Sequence, residues 1–171
     1  MRLVVYPITF QTLKEEIITN LEIAAHKQAE LVTKWMEECT SDAQSVANNP
    51  FVVLCMQSTR EGKERAEILQ YLDTVKYVDY LWAECGHKEV IIADRNGIVR
   101  ISSRKELVGT DISTKDFFRT AIEGAFFTSN IIPSDIPIEN ESGELEVGVP
   151  TMLVSVPVKD RSNAIAGAVT I

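Results

Sequence analysis

No run of about 18 apolar residues occurs in this 171-residue chain, so no segment of it is built to cross a bilayer as a helix. A charged-then-apolar leader is missing too, and no signal peptide is expected. The three cysteines, Cys39, Cys55 and Cys85, are too few and too scattered for a disulfide scaffold, and no C-x-x-C or Cys/His spacing marks a zinc site. They read as small buried apolar residues. The two histidines, His26 and His87, have no sequence company that makes a catalytic triad; His26 is expected on the surface or at a dimer seam and His87 in a solvated loop. Seventeen Lys and Arg against 25 Asp and Glu give a net charge of -8, and no dense basic patch could displace the counterions of a nucleic acid. Gly143 and Gly148 are not followed by the Lys-Ser/Thr pair of a phosphate cradle. The acidic loop of Asp135, Glu139, Asn140, Glu141, Glu144 and Glu146 lacks the ligand order of a calcium loop and reads as solvated. No enzyme chemistry, metal site or cofactor is expected.

What is present is an ordinary globular composition, 45% hydrophobic and 25% charged, in a length that suits one domain with an added helix. From Thr12, where Thr12 and Glu15 could form a capping box, apolar residues recur at Ile18, Leu21, Ala25, Val32, Met36, Cys39, Ala43 and Val46. That stripe predicts a helix ending at Asn48-Asn49-Pro50, a rod of roughly 50–60 Å. Such a rod has more apolar stripe than a small domain covers, and a second copy of the chain is the simplest partner for it; packing wholly on its own sheet is the alternative. The apolar start, M-R-L-V-V-Y-P-I-T-F, reads either as a first strand or packed arm or as the stub of a transmembrane helix. A shorter helix, signalled by Ser58 and Glu61 and carried by Ala66, Leu69, Leu72 and Val75, should connect the rod to the rest.

Beyond Glu89 the period shortens to two. Val90-Ile91-Ile92-Ala93, the turn Asp94-Arg95-Asn96-Gly97 and Ile98-Val99-Arg100-Ile101-Ser102 predict a hairpin, with Asn-Gly supplying positive backbone angles. A short helix follows, with Ser113 as its N-cap, Phe117, Phe118, Ala121 and Ile122 on its buried side and Gly124 at its end. Strands are expected over 125–131, 147–158 and 164–171, with a polar loop over 133–143 and a turn at 159–163. The fold class is therefore α+β: a long N-terminal helix followed by a five-stranded antiparallel sheet with a helical flap over a ligand pocket. Three segments are expected: 1–49 the long helix, 50–88 a connecting helical segment and 89–171 the sheet domain.

The ordered set A-D-R-N-G-I-V-R-I-S-S, L-V-G-T-D-I-S-T-K-D-F-F-R-T-A-I-E-G, S-V-P-V-K-D and A-I-A-G-A-V-T-I resembles the Cache sensor domains, also called PDC domains. These are extracytoplasmic relatives of PAS domains found in histidine kinases, chemoreceptors and cyclic-dinucleotide enzymes. The resemblance covers 89–171 and, more loosely, the long helix. It implies an extracytoplasmic domain of a cell-membrane receptor whose long helix emerges from the membrane and pairs in a homodimer, with a small molecule held beneath 113–124. It also implies a cytoplasmic output domain, a histidine kinase on family frequency, and either the membrane-distal half of a tandem or a single sensor unit. Cys55 and Cys85 lack the surroundings of a flavin-attaching PAS cysteine.

An amino-acid-binding subset of the family carries Arg, a spacer, then Trp-Tyr where this chain has Lys115, Asp116, Phe117 and Phe118. Lys115 keeps a positive charge without the two-pronged guanidinium, and both aromatic residues lack polar atoms. The subset's Asp on the last strand corresponds to Thr170. These departures disfavour a free amino acid and suit a small organic acid, or another compact ligand with an anionic end and an apolar body. The implied ligand contacts are Lys115, Phe117, Phe118, Ser102, Phe127, Ser129, Ser155 and Thr170, with Thr128 nearby. Taken singly, Phe117 and Phe118 read as core and Lys115 as solvated. The alternative function, from a different class, is a dimerisation or protein-interaction module with a packed sheet and no ligand.

Overall fold

The computed structural model describes residues 5–61, 78, 80, 86–134, 137–140 and 142–171, with side chains from 9 onward except at 57–61 and 139. The connecting positions Ala66, Leu69, Leu72 and Val75, and Cys85, lie outside the described residues. Two compact units divide the chain, Met1–Glu38 and Cys39–Ile171.

Helix α1 runs over Val5–Ala47, 43 residues without an interruption. No glycine or proline occurs between Ile8 and Ala47, and Pro7 falls in the first turn, where a missing N–H leaves no helical bond unmade. The helix therefore starts seven residues ahead of Thr12, which lies inside it and not at its N-terminus. Residues 5–10 are accordingly helical and not a strand. Within the Met1–Glu38 unit every described side chain from Thr9 to Trp35 is exposed, including Phe10, Leu13, Ile17, Ile18, Leu21, Leu31, Val32 and Trp35. Among the described residues no helix is long and apolar enough to cross a membrane.

In the Cys39–Ile171 unit, Asn48-Asn49-Pro50 both ends α1 and starts α2 (Pro50–Glu61). The Asn49 side-chain oxygen accepts the Phe51 N–H at 2.9 Å and its carbonyl accepts the Val53 N–H at 3.0 Å, an N-cap with proline at the first helical position. Helix α2 thus begins eight residues before Ser58, because the Asn-Pro pair is itself a start signal.

The sheet contains β1 (Ile91–Asp94), β2 (Val99–Ser102), β3 (Phe127–Thr128), β8 (Val154–Lys159) and β9 (Ile165–Thr170), in the order β2-β1-β9-β8-β3 and antiparallel throughout. Between β3 and β8, two small ladders pair β4 (Ile132–Pro133) with β7 (Pro150–Thr151) and β5 (Ile138–Glu139) with β6 (Leu145–Glu146). The strand expected over 125–131 is reduced to β3, and the one expected over 147–158 is divided at 152–153 into β7 and β8. Pro133 and Pro150 pair with each other and have no N–H with which to extend the β4–β7 ladder. Helix α3 (Asp116–Ile122) crosses from the β2 edge to the β3 edge.

One face of the sheet, with Val90, Ile92, Ile101, Val154, Val156, Val158 and Val169, packs on Cys39, Ala43, Val46 and Ala47 of α1 and on Val52, Cys55 and Met56 of α2. The other face carries a smaller core of Ala93, Val99 and Ala168 with Ile112 and with Phe118 and Ala121 of α3. Cys39 and Cys55 are buried inside the first core. His87, expected in solvent, is instead only 9% exposed and sits 2.9 Å from the Asp42 carboxylate, because the chain returns along the end of α1 before entering β1. His26 is exposed, 3.3 Å from Glu30 one turn on.

The β1–β2 hairpin needs a positive angle at one residue alone. Gly97 has φ 83°, and a Cβ there would lie 2.6 Å from the Ser113 backbone, whose neighbour Ile112 donates its N–H to the Gly97 carbonyl at 2.8 Å. The hairpin tip thereby holds the segment that leads into α3. At the other end of α3, Gly124 (φ 95°) donates to the Ala121 carbonyl and Ala125 to the Thr120 carbonyl, the paired bonds of a Schellman stop. The start differs from expectation: Lys115 is the N-cap with no side-chain bond, and Ser113 donates its N–H to Asp111, 2.8 Å away. That bond and one from the Ser113 side chain hold the Asp111 carboxyl below its ordinary range.

Candidate functional site

The registers place one row of side chains straight across the sheet. Ile91 pairs with Ser102 on one side and Thr170 on the other, Thr170 pairs with Ser155, and Ser155 pairs with Phe127. Alternation puts this row on the same face as Ala93 and Ala168, the face that α3 covers. Four of the residues implied by the family resemblance, Ser102, Phe127, Ser155 and Thr170, therefore share one line, with Ile91 between two of them. Ser129 follows the end of β3, its hydroxyl donating to the Asn130 carbonyl at 2.7 Å and accepting the Leu153 N–H at 2.8 Å. Thr128, between Phe127 and Ser129, is exposed and belongs to the opposite parity.

The flap residues separate. Phe118 is a core residue, 2% exposed, while Phe117 is half-buried at the edge of that core. Lys115 is exposed, and its carbonyl receives the Phe118 and Arg119 N–H groups that open α3. Helix α3 covers the Ala93–Ala168 level of the face; the hydroxyl row is the next level along.

Ser155 and Thr170 are buried and their hydroxyls are 3.0 Å apart. Each is the other's partner, so removing one leaves a buried polar atom alone, whereas removing both removes the need. Ser155→Ala is expected to cost about 1–2 kcal/mol, and Ser155→Ala combined with Thr170→Val to cost less than the sum of the two single changes. Urea unfolding of the three variants measures this. Equal, additive losses would show that the two hydroxyls do not depend on each other.

At one end of the row a charged group adjoins it. Val90 accepts the Ser103 N–H through its carbonyl and donates its own N–H to the Ser103 hydroxyl, each at 3.0 Å. Continuing that register sets Glu89 opposite Arg104 on the face of Ile91 and Ser102. Arg104 is committed elsewhere: its Nε and Nη2 lie 3.0 and 2.9 Å from one oxygen of Glu106, and its Nη1 donates to the Pro137 carbonyl at 3.1 Å. Oε1 of Glu89 is buried with no hydrogen-bond partner. Burial raises the pKa of Glu89; the Arg104 charge opposes this and Glu106 adds to it. Neither Glu89 nor Arg104 was singled out in the sequence, where the only signal is a charged residue at each open end of a strong hairpin.

No protein-family model matches the sequence, and no curated protein does. Solved structures do match it in fold. The sensor domain of the Vibrio cholerae histidine kinase DctB is 14% identical, with a TM-score of 0.64 over 95% of this chain and 56% of that one. The Escherichia coli DcuS sensor domain is 12% identical, with a TM-score of 0.57 over 81% of this chain and 87% of that one. The sensory domain of the Campylobacter jejuni chemoreceptor Tlp3, solved with isoleucine bound, is 16% identical, with a TM-score of 0.63 over 96% of this chain and 62% of that one. The chain thus spans little more than half of the DctB and Tlp3 sensor domains. Its fold, a long helix leading to a five-stranded antiparallel sheet crossed by a short helix, is the fold of these sensor domains, the Cache type that its sequence resembles.

Proposed function

We propose that the chain is a ligand-binding sensor domain, displayed outside the cytoplasm by a membrane receptor, which acts by binding and not by catalysis. The observation that carries this reading is the row Ser102, Ile91, Thr170, Ser155 and Phe127: hydroxyls and a ring gathered on the face beside α3, in a fold used by sensor domains. The ligand contacts are those residues with Ser129 and Phe117, and Lys115 supplies a positive charge at the start of the flap. The ligand is a small molecule, with organic acids the first class to test. The exposed apolar side chains of the Met1–Glu38 unit favour pairing with a second copy through α1. Occupancy then biases one arrangement of the paired helices over another and so reaches an output domain, a histidine kinase being the first expectation.

A thermal-shift screen of the purified chain against carboxylates, amines and sugars tests the reading. A ligand at 100 times its dissociation constant adds about 2.7 kcal/mol, or roughly 5–11 °C for a chain of this size. If no compound class moves the midpoint, the sensor reading falls and the interaction module takes its place.

A further inference from the structure

We infer that Glu89 is a subsite for the ammonium group of a primary amine, a chemical class that the residues of the flap helix do not recognise. The inference rests on the sensor reading above and deepens it. Three observations converge. Glu89 lies on the ligand face, one pleat from Ile91 and hence beside the hydroxyl row. Its Oε1 is out of reach of solvent and meets no donor. A buried carboxylate oxygen without a donor is a costly arrangement, tolerated where another molecule supplies the donor. Arg104, the cation whose charge acts on Glu89, is held by Glu106 and the Pro137 carbonyl, so that with Glu89 ionised the group of Glu89, Arg104 and Glu106 has two negative charges against one positive.

The partner that stabilises the ionised form is cationic, carries N–H, and is compact enough to reach an oxygen sunk beside the sheet. A primary ammonium meets all three conditions. A quaternary ammonium has the charge without the donor, and a carboxylate has the wrong sign. Burial opposes the charged form of Glu89 in the empty domain, as expected of an acceptor waiting for a cation.

The experiment measures binding of the whole chain by calorimetry and thermal shift with three probe sets: compact primary amines of two to six carbons, with and without a carboxylate; their N,N,N-trimethyl counterparts; and carboxylates of the same length without nitrogen. Primary amines are expected to bind, and their trimethyl counterparts to bind at least about tenfold more weakly. Glu89→Gln should weaken the primary amines by a similar factor and leave carboxylates unchanged. The comparison of primary with trimethyl probes needs no variant, so it decides the matter even if Glu89→Gln fails to fold. Equal binding of primary and trimethyl amines, or amine binding that survives Glu89→Gln, overturns the inference. If carboxylates alone bind, the ammonium subsite falls and the sensor reading stands; if no probe binds, the ammonium subsite falls and the sugar arm of the thermal-shift screen decides the sensor reading.

Discussion

Gly167→Ala is expected to lower stability by about 3 kcal/mol, roughly 6–12 °C in the unfolding midpoint. Gly167 is on the central strand β9, opposite Asp94 on β1 and Val158 on β8. A Cβ built there would lie 2.2 Å from the Ala93 carbonyl oxygen and 3.1 Å from the Met56 sulfur. The two clashes differ in kind. Met56 is a flexible side chain that can move aside, whereas the Ala93 oxygen belongs to the backbone of the neighbouring strand. Relief therefore requires β1 and β9 to move apart at the level where α2 and α3 pack on their two faces. Met56→Ala should consequently fail to rescue Gly167→Ala. The measurement is a thermal melt of the two single variants and the double. If Gly167→Ala melts within about 2 °C of the parent chain, the pairing of β1 with β9 described above is wrong.

The sequence pattern reached the topology because each step had its own chemical mark. The change of period at Glu89, the Asn96-Gly97 turn, Gly124 after a helical stripe and the polar turn before Ala164 together fix strand, strand, helix and the two closing strands. What it missed came from signals with two meanings. Asn49-Pro50 reads as a helix end, and the same pair also starts α2. Pro133 reads as the start of a loop and Pro150 as part of a long strand, yet the two pair with each other in the short β4–β7 ladder.

The site was legible to the extent that alternation was. Counting from the family's pattern brought Ser102, Phe127, Ser155 and Thr170 together, and the registers place them in one row. Ile91 carries no mark of its own in the sequence, since an isoleucine in a strand is ordinary until its neighbours are known. Glu89 and Arg104 were hidden by an irregularity: the pairing shifts between Ile92, opposite Ile101, and Ala93, opposite Val99. Simple counting outward from the turn sets Glu89 against Ser102 or Ser103 and buries the pairing with Arg104. A bulge adds one residue to one strand and changes which side chains meet beyond it, and no local propensity announces it. Phe118 illustrates the opposite limit. Its position in the flap suggested a ligand contact, but two adjacent helical residues point about 100° apart, so Phe118 enters the core and Phe117 remains at its edge.

The same hairpin sets the second large effect, expected at Asp94. This carboxylate is 3% exposed, and all its acceptor directions are occupied: Oδ1 receives the Asn96 and Ile98 N–H groups at 2.9 and 3.1 Å, and Oδ2 receives Nε and Nη2 of Arg100. Asp94→Ala removes an internal brace of the turn and leaves a guanidinium facing its former partner's cavity, at an expected cost of about 3 kcal/mol. Arg100 retains partial access to water, which keeps the figure toward the lower end for a broken buried pair. Asp94→Asn preserves the oxygen that braces the turn but loses the ion pair, and should cost about half as much. Arg100→Ala leaves the buried carboxylate with its two turn donors alone. In a double-mutant cycle, Asp94→Ala with Arg100→Ala should therefore show a coupling of about 1 kcal/mol or more, measured by urea unfolding. Additive losses would mean that the ion pair contributes nothing and that the turn bonds account for the whole effect. Because the tip of this hairpin also binds Ile112 through the Gly97 carbonyl, loosening Asp94 frees both β2 and the lead-in to α3. A ligand held between Ser102 and the flap would then lose affinity in the Asp94 variants in proportion to their lost stability, whereas Ser155→Ala would alter the row without moving either wall.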